Sequence, residues 1–349
     1  SACSSGMMTL ASGDSLVSLV EEIGAERAMS AAELLLGSLK NLEDFCASTE
    51  DGCGFRRKDS LLYTSEEACT AKLRREYSLR LHNGLDVELL NADTASEQFT
   101  FPMEAGVYTK NAAAQVDPYR LTHAAVRAAK EKGARIYENT TASAINQSAQ
   151  DDITLECSTH HRIQARYVIV AAGLETHRYC GGLTQAGTTY LLATEPVEEF
   201  AGWRGTCLIH REGDARQYIT VTPDHRILIG GLDSSVLDEK GRVARLINLQ
   251  NLAEKRHHAL AYTLRDMFPA IRNITAEYVW AAKDGRTSDG LPVIGRLPAN
   301  SRVAYAMCCG DNGILYAEAA GRLLLDQYQG VDNQQLGLFS PNREWRIKR

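Results

Sequence analysis

Near the carboxyl end, Gly310-Asp311-Asn312-Gly313 stands between an apolar run, Val303-Ala304-Tyr305-Ala306-Met307, and a stretch over 314–328 with helical periodicity. A glycine turn at the start of a helix leaves backbone N–H groups unpaired and aims the positive end of the helix dipole outward. Such a terminus can stabilise negative charge on a bound group, although turns of this kind also serve as plain connections. Two further stretches could work with it. Val168-Ile169-Val170-Ala171-Ala172-Gly173 is an unbroken apolar run ending in small residues. It has the pattern of a strand buried on both faces of a parallel sheet, and nucleotides bind at the carboxyl ends of such strands. Asp289-Gly290-Leu291-Pro292-Val293-Ile294-Gly295 reads as a turn, a short strand and another turn.

No side chain announces itself as a catalytic base, so the catalytic residues are unknown at this stage. His210 and Tyr218 fall on two predicted strands, where they line a pocket or fill ordinary structural roles. His257-His258 diverge in direction on a predicted helix, and no His, Cys, Asp or Glu spacing fits a metal site. The 9 cysteines are odd in number and scattered, with no C-x-x-C. That argues for reduced thiols in a cytoplasmic protein, against a disulfide framework or a zinc site.

The elements that must position these residues come from a chain of 349 residues, enough for roughly two domains. Apolar content of 44% and charged content of 23% are those of a globular protein. A net charge of −6 argues against non-specific nucleic-acid binding. No window of about 18 apolar residues exists to cross a membrane, and Ser1 to Met8 has neither the basic region nor the apolar core of a signal peptide.

Along the chain, 14–47 has helical spacing, with Asp14 or Ser15 as cap and Gly24 and Gly37 as interruptions. Phe55–Thr64 reads as a strand and 65–82 as a polar helix. Asp117-Pro118 starts a helix whose stripe of Leu121, Ala124, Ala125, Ala128 and Ala129 suits close approach to a sheet, and Ala134–Glu138 follows as a strand. Strands over 189–194, 217–222 and 226–230 imply an antiparallel sheet, and a long helix is predicted over 243–267. The fold class is α/β (α+β): a dinucleotide-type layer, an antiparallel insertion and a return to the first layer. The expected division is 1–52, 112–187 and 286–349 for the first domain, and 53–111 and 188–285 for the second.

In combination and order, these motifs resemble the FAD-dependent oxidoreductases of the D-amino-acid oxidase, glycine oxidase and sarcosine oxidase superfamily, over nearly the whole chain. Gln115 to Leu121 resembles the family's "VDP.RL" helix start, Arg135 to Ala142 its adenine-side strand, and Val168 to Gly173 its "VV.A.G" strand. Leu228-Ile229-Gly230-Gly231 and Trp280-Ala281 resemble strands of the insertion. Asp289–Gly295 and Gly310–Gly313 resemble the "DGLP.IG" and "G.NG" segments near the flavin ring.

The resemblance implies a Rossmann-like FAD-binding domain interleaved with an antiparallel-sheet substrate domain, and FAD as cofactor. It assigns Gly310, Asp311, Asn312, Gly313, Ile314 and Leu315 to the flavin N1–C2=O edge. Ser4, Ser5, Gly6, Met7 and Met8 would run beside the pyrophosphate and ring, Ala142 would hold adenine, and Ala171, Ala172 and Gly173 would flank the ribose or pyrophosphate. His210, Tyr218, Trp280 and Lys283 are the candidates for contact with a small-molecule amine or amino-acid substrate.

Two departures stand out. None of the 27 glycines falls in a G-x-G-x-x-G pattern, the fingerprint that docks a pyrophosphate. The expectation is therefore a chain lacking the family's first βαβ unit, with weak or no FAD retention and an exposed sheet edge that promotes self-association. In addition, Asp284 falls near the position where amino-acid-oxidising members carry a carboxylate-clamping Arg, with Lys283 and Arg286 beside it. The expected activity is oxidation of a C–N bond of an amine or amino acid by hydride transfer to flavin. The alternative is a cofactor-free remnant or subunit without catalysis, and an NAD-dependent dehydrogenase fits the Asp289–Gly313 segment less well.

Overall fold

The helix over 14–47 forms as two, α1 (Leu16–Ile23) and α2 (Ala25–Ala47), separated at Gly24, whose φ is 86°. Ser15 caps α1, accepting a hydrogen bond from the Ser18 amide, while Asp14 lies outside the described residues. Gly37 does not interrupt α2, because burial of Leu34, Leu35 and Leu39 beside it offsets the roughly 1 kcal/mol that glycine costs inside a helix. The computed structural model describes residues 3–10, 15–147, 153–176, 185–213, 216–235, 246–297, 300–308 and 310–343.

A nine-stranded sheet dominates. Its strands are β1 (Met7–Met8), β2 (Arg56–Thr64), β3 (Val87–Asn91), β4 (Ala105–Gln115), β9 (Gln185–Pro196), β10 (Leu208–Arg211), β11 (Gln217–Val221), β12 (Arg226–Ser235) and β13 (Ala276–Arg286). The order is β1-β4-β2-β10-β11-β12-β9-β13, with β3 also on β4. All pairs are antiparallel except β2 with β10. One face is sealed by a long helix, α6 (Leu246–Met267), whose Leu260, Leu264 and Met267 pack with the following Phe268 against Tyr63, Ile209, Ile219, Ile229 and Tyr190. Phe268 stacks on Trp203 at 4.6 Å between ring centroids. Two more helices lie ahead of α6: α3 (Thr70–His82), where 65–82 was expected to be helical, and the one-turn α4 (Ala92–Ser96).

The dinucleotide-type layer is smaller. β8 (Val168–Val170) runs parallel to β15 (Asn300–Met307), which pairs antiparallel with β14 (Val293–Leu297). Helix α7 (Gly313–Gln329) packs Leu315, Tyr316, Ala319 and Leu323 against Leu35, Leu39 and Leu42 of α2. The short α8 (Leu336–Phe339) follows, and the buried Arg343 after it binds both carboxylate oxygens of Asp289, at 2.7 and 2.9 Å. A third sheet, β5 (Ala142–Gln147), β6 (Ile153–Cys157) and β7 (Arg162–Ala165), is antiparallel and places Ile153 against Val170, Val303 and Tyr305.

Three expectations need correction. Val168–Gly173 is not a strand buried on both faces: only Val168–Val170 is extended, as β8. Ile169 is 58% exposed, so β8 is buried on one face only and forms the edge of its sheet among the described residues. Ala134–Glu138 is not a strand; no described strand lies beside it to take its backbone hydrogen bonds, and an unpaired strand has no ladder to stabilise it. Of the small-residue stripe of α5 (Pro118–Glu131) only Ala124 is buried, in an apolar cluster that includes Ala114 of β4, and most of the stripe meets no sheet among the described residues. What fixes α5 is its start: Asp117 caps it, its own amide donates to Cys53 O, and Arg120 binds Asp51. No helix among the described residues is long and apolar enough to cross a membrane.

Candidate functional site

The segment 3–9 threads between the large sheet and the start of α7. Ser4 and Ser5 fold back on it, their hydroxyls accepting from the Gly6 and Met7 amides at 3.2 and 3.4 Å. Gly6 (φ 70°) is the one residue type that fits its place, because a Cβ there would lie 2.0 Å from Val116 O. Beyond it, β1 pairs Met7 with Gln115 and Met8 with Ala114. The Thr9 amide donates to Asn312 Oδ1 at 3.1 Å, and Trp280 Nε1 donates to Cys3 O at 3.2 Å. Three distant elements therefore converge on this short segment.

At α7, Gly310 takes a φ of 94° and Gly313 comes so close to the strand before it that a Cβ would meet Cys308 O at 2.6 Å. Asn312 is 2% exposed and spends its side chain on Thr9, making no side-chain cap on its own helix. Asp311 pairs with Arg216 at 2.5 Å, each about a quarter exposed. The Gly313 amide turns back to Gly310 O at 3.3 Å, and the Ile314 and Leu315 amides that follow have no side-chain cap, with the dipole's positive end toward the cavity.

Opposite, register places one row of residues across six strands: Leu62, His210, Tyr218, Gly230, Leu191 and Trp280 are successive cross-strand partners. Partners at directly opposite positions share a face, and this is the face turned away from α6. The His210 and Tyr218 rings lie 6.4 Å apart, and the Tyr218 hydroxyl is 3.4 Å from Thr189 Oγ1. His210 Nε2 is buried with no hydrogen-bond partner among the described residues. Burial pushes the His210 pKa down to about 4, with Asp311 pulling it up and Arg216 and Arg80 reinforcing the fall. The imidazole is therefore neutral near pH 7.

Between these walls is a cavity of about 370 Å³. It brings together most of the residues singled out from sequence: Ser4, Ser5, Met7, Gly173, His210, Tyr218, Lys283, Gly310, Asp311, Gly313 and Ile314. Gly6, Met8, Asn312, Leu315 and Trp280 support its walls without lining it. Ala171 and Gly173 border an adjoining, mostly apolar groove over β8 and α7 of about 720 Å³, which shares Gly173 and Cys308 with the first. Ala172 lines neither cavity, and Ala142 lies on β5, in the separate antiparallel sheet. The side chains of Asp284 and Arg286 lie outside the described ones. No group of three or more metal-ligating side chains occurs among the described residues.

Sequence reasoning passed over Arg216, Thr189 and Leu191, which also line the cavity. Two-residue alternation could have found Arg216, since it stands two before Tyr218, immediately ahead of β11. Thr189 and Leu191 share a strand face by the same rule, but only the pairing of β9 with β12 brings that face to the site.

Residues 4–327 match the family model described as FAD dependent oxidoreductase (DAO). Glycine oxidase of Bacillus subtilis (strain 168) is 29% identical over 215 residues, covering 60% of this chain and 53% of that protein. A protein of the same organism described as a Rieske 2Fe-2S iron-sulfur protein, YhfW, is 24% identical over 299 residues, covering 83% of this chain and 54% of its own length. This chain thus spans about half the length of each of these two relatives. The crystal structure of glycine oxidase from Geobacillus kaustophilus superposes with a TM-score of 0.76 at 20% identity, over 99% of this chain and 88% of that one, a likeness of fold.

Proposed function

Because this chain belongs to the DAO family of FAD-dependent oxidoreductases, we propose that it oxidises a C–N bond of an amine or amino acid in the cavity between α7 and the large sheet. The observation that carries this reading is the convergence of an uncapped helix N-terminus and the His210–Tyr218 row on one cavity. The flavin half of FAD fits the residues present: the glycine-built start of α7 leaves room and amide donors for a ring edge, and segment 4–8 runs beside it. When bound there, FAD supplies a hydride acceptor.

Each wall has its task. The first turn of α7, from Gly310 to Leu315, stabilises negative charge that develops at its amides. The Arg216–Asp311 pair links the substrate wall to that turn and fixes their spacing. His210, neutral, adds no charge of its own to the cavity, while Tyr218 and Leu191 exclude water from the reacting C–H bond. An amine that enters unprotonated needs orientation more than a base. Ser4–Met8, Ala171, Ala172 and Gly173 are assigned to the rest of the cofactor and Ala142 to its adenine. In the same reading, segments 1–52, 112–187 and 286–349 form the cofactor domain, and 53–111 and 188–285 the substrate domain.

One observation favours a second reading, a member of the family that folds without cofactor and does not catalyse: no G-x-G-x-x-G occurs in the 349 residues. Titrating the purified chain with FAD, then adding glycine, sarcosine and simple amines without oxygen, separates the two. Flavin that binds, even weakly, and bleaches with at least one amine is expected. Flavin that binds and never bleaches overturns the proposed activity, and failure to hold any FAD favours the second reading for these 349 residues.

A further inference from the structure

The substrate wall has one place with no side chain. Within the row Leu62–His210–Tyr218–Gly230–Leu191–Trp280, Gly230 alone is bare. Its backbone is not in the left-handed region that favours glycine, so conformation does not explain it. Tyr218 does. A Cβ at position 230 would lie 2.3 Å from Tyr218 Cζ and 2.4 Å from both Cε2 and the hydroxyl oxygen, far inside contact distance. The phenol ring therefore crosses β12 lying flat on the glycine, and its hydroxyl reaches Thr189 on β9, one strand further on. Met7, Ala113 and Leu208 also pack against Tyr218. Tyr218 lines the cavity on this face of the sheet, so a ring lifted off Gly230 rises into it.

We propose that Gly230 is a specificity-determining residue: by letting the Tyr218 ring lie flat on β12, it sets the free height above the sheet and so the largest substrate side chain the cavity admits. This rests on the cavity being the site of amine oxidation. Tyr218 lines the cavity and Gly230 does not, so Gly230 acts through the ring as a positioning residue. Any side chain at 230 lifts the ring and lowers the ceiling; loss of the ring raises it.

The test uses FAD-loaded wild type, Gly230→Ala, Tyr218→Leu and the double variant on two size series, methylamine to benzylamine and glycine to phenylalanine. Gly230→Ala is expected to lower kcat/KM for the largest oxidised member at least about tenfold more than for the smallest, the scale of a crowded methylene, and mainly through KM. Adding Tyr218→Leu restores the ratio. An equal fall across a series, or a double variant as selective as Gly230→Ala, overturns the proposal. Should Gly230→Ala not fold, Tyr218→Leu alone decides: preference shifts to larger members, and an unchanged ratio overturns it. A crystal structure of Gly230→Ala gives a readout independent of turnover. The ring is expected off β12 and in the cavity; a ring still flat, with β12 shifted beneath it, is the contrary result. If wild type oxidises nothing in either series, the functional reading fails while the ring position still answers this question.

Discussion

The nine-stranded sheet meets the cavity with its back sealed by α6, while the small sheet β14-β15-β8 reaches it only through Gly173, Leu174 and Cys308 beyond its strand ends, its edge strand bordering the adjoining groove with Ile169 58% exposed. Apolar burial holds the first together: Phe268 is fully buried, stacked on Trp203 and edge-on to Phe101. The second sheet leans on a buried ion pair beside its first strand. There Arg343 binds Asp289 with both guanidinium arms and also donates to the carbonyls of Leu291, Pro292 and Phe339. Within the large-sheet wall only β10, β11 and β12 follow one another as hairpins, and β2 and β13 join from far along the chain; the facing wall combines the consecutive β14, β15 and α7 with the distant β8.

The contrast can be broken most sharply at those two anchors. Phe268→Ala should cost about 3–5 kcal/mol as a core cavity, and Arg343→Met a similar amount by leaving Asp289 buried without its partner. Under the proposed division, Phe268→Ala collapses the large sheet and α6, while Arg343→Met first frees amides of β14 and β15. Hydrogen exchange on each variant at matched denaturant distinguishes these outcomes, and simultaneous loss in both sheets would refute the division.

A smaller effect belongs to the large sheet alone. The folded protein holds His210 at a pKa of about 4, against 6.5 when unfolded. Between those values the unfolded chain binds a proton that the folded one does not, so stability falls as the pH drops from about 6.5 to 4. Across the whole window the loss is about 3 kcal/mol. Urea titrations of wild type and His210→Phe at pH 7, 5.5 and 4.5 should show this dependence in the wild type and its removal in the variant. Equal slopes would mean that the imidazole is solvated.

The smallest stability effect is expected at the open edge. Ile169→Lys should shift stability by no more than about 0.5 kcal/mol, as an exposed substitution does. If the β8 edge and its groove promote self-association, as an uncovered edge does, the same change lowers the concentration-dependent light scattering of the wild type. Unchanged scattering would remove that edge as its cause.

Glycine, proline and small polar residues made much of this molecule readable. Asp117-Pro118 starts α5, Ser15 caps α1, and Gly310–Gly313 opens α7, because caps and turns depend on residues within a few positions of one another. Two-residue periodicity likewise marked β11 and β12, and the order of motifs along the chain carried the family resemblance. Local signals failed where the decisive partner is remote. The 134–138 segment has strand composition but no described strand beside it, and most of the alanine stripe of α5 meets no described sheet.

The amino-acid sequence by itself determined most of the elements, the order of the motifs, the family and half of the residues that line the cavity, since each rests on composition or short-range spacing. Tertiary structure decided which of them meet. Arg216 and Asp311 are 95 residues apart, Thr9 and Asn312 are 303 apart, and the Leu62–Trp280 row exists only once five strand registers are set. Nor does a glycine in a strand say why it is there; the flat Tyr218 ring over Gly230 is visible only when β11 lies beside β12. For the row and the ring the physical reason is the same. Side-chain contact across a sheet depends on register and face, and those are fixed by burial of the whole sheet against α6 rather than by any short stretch of chain.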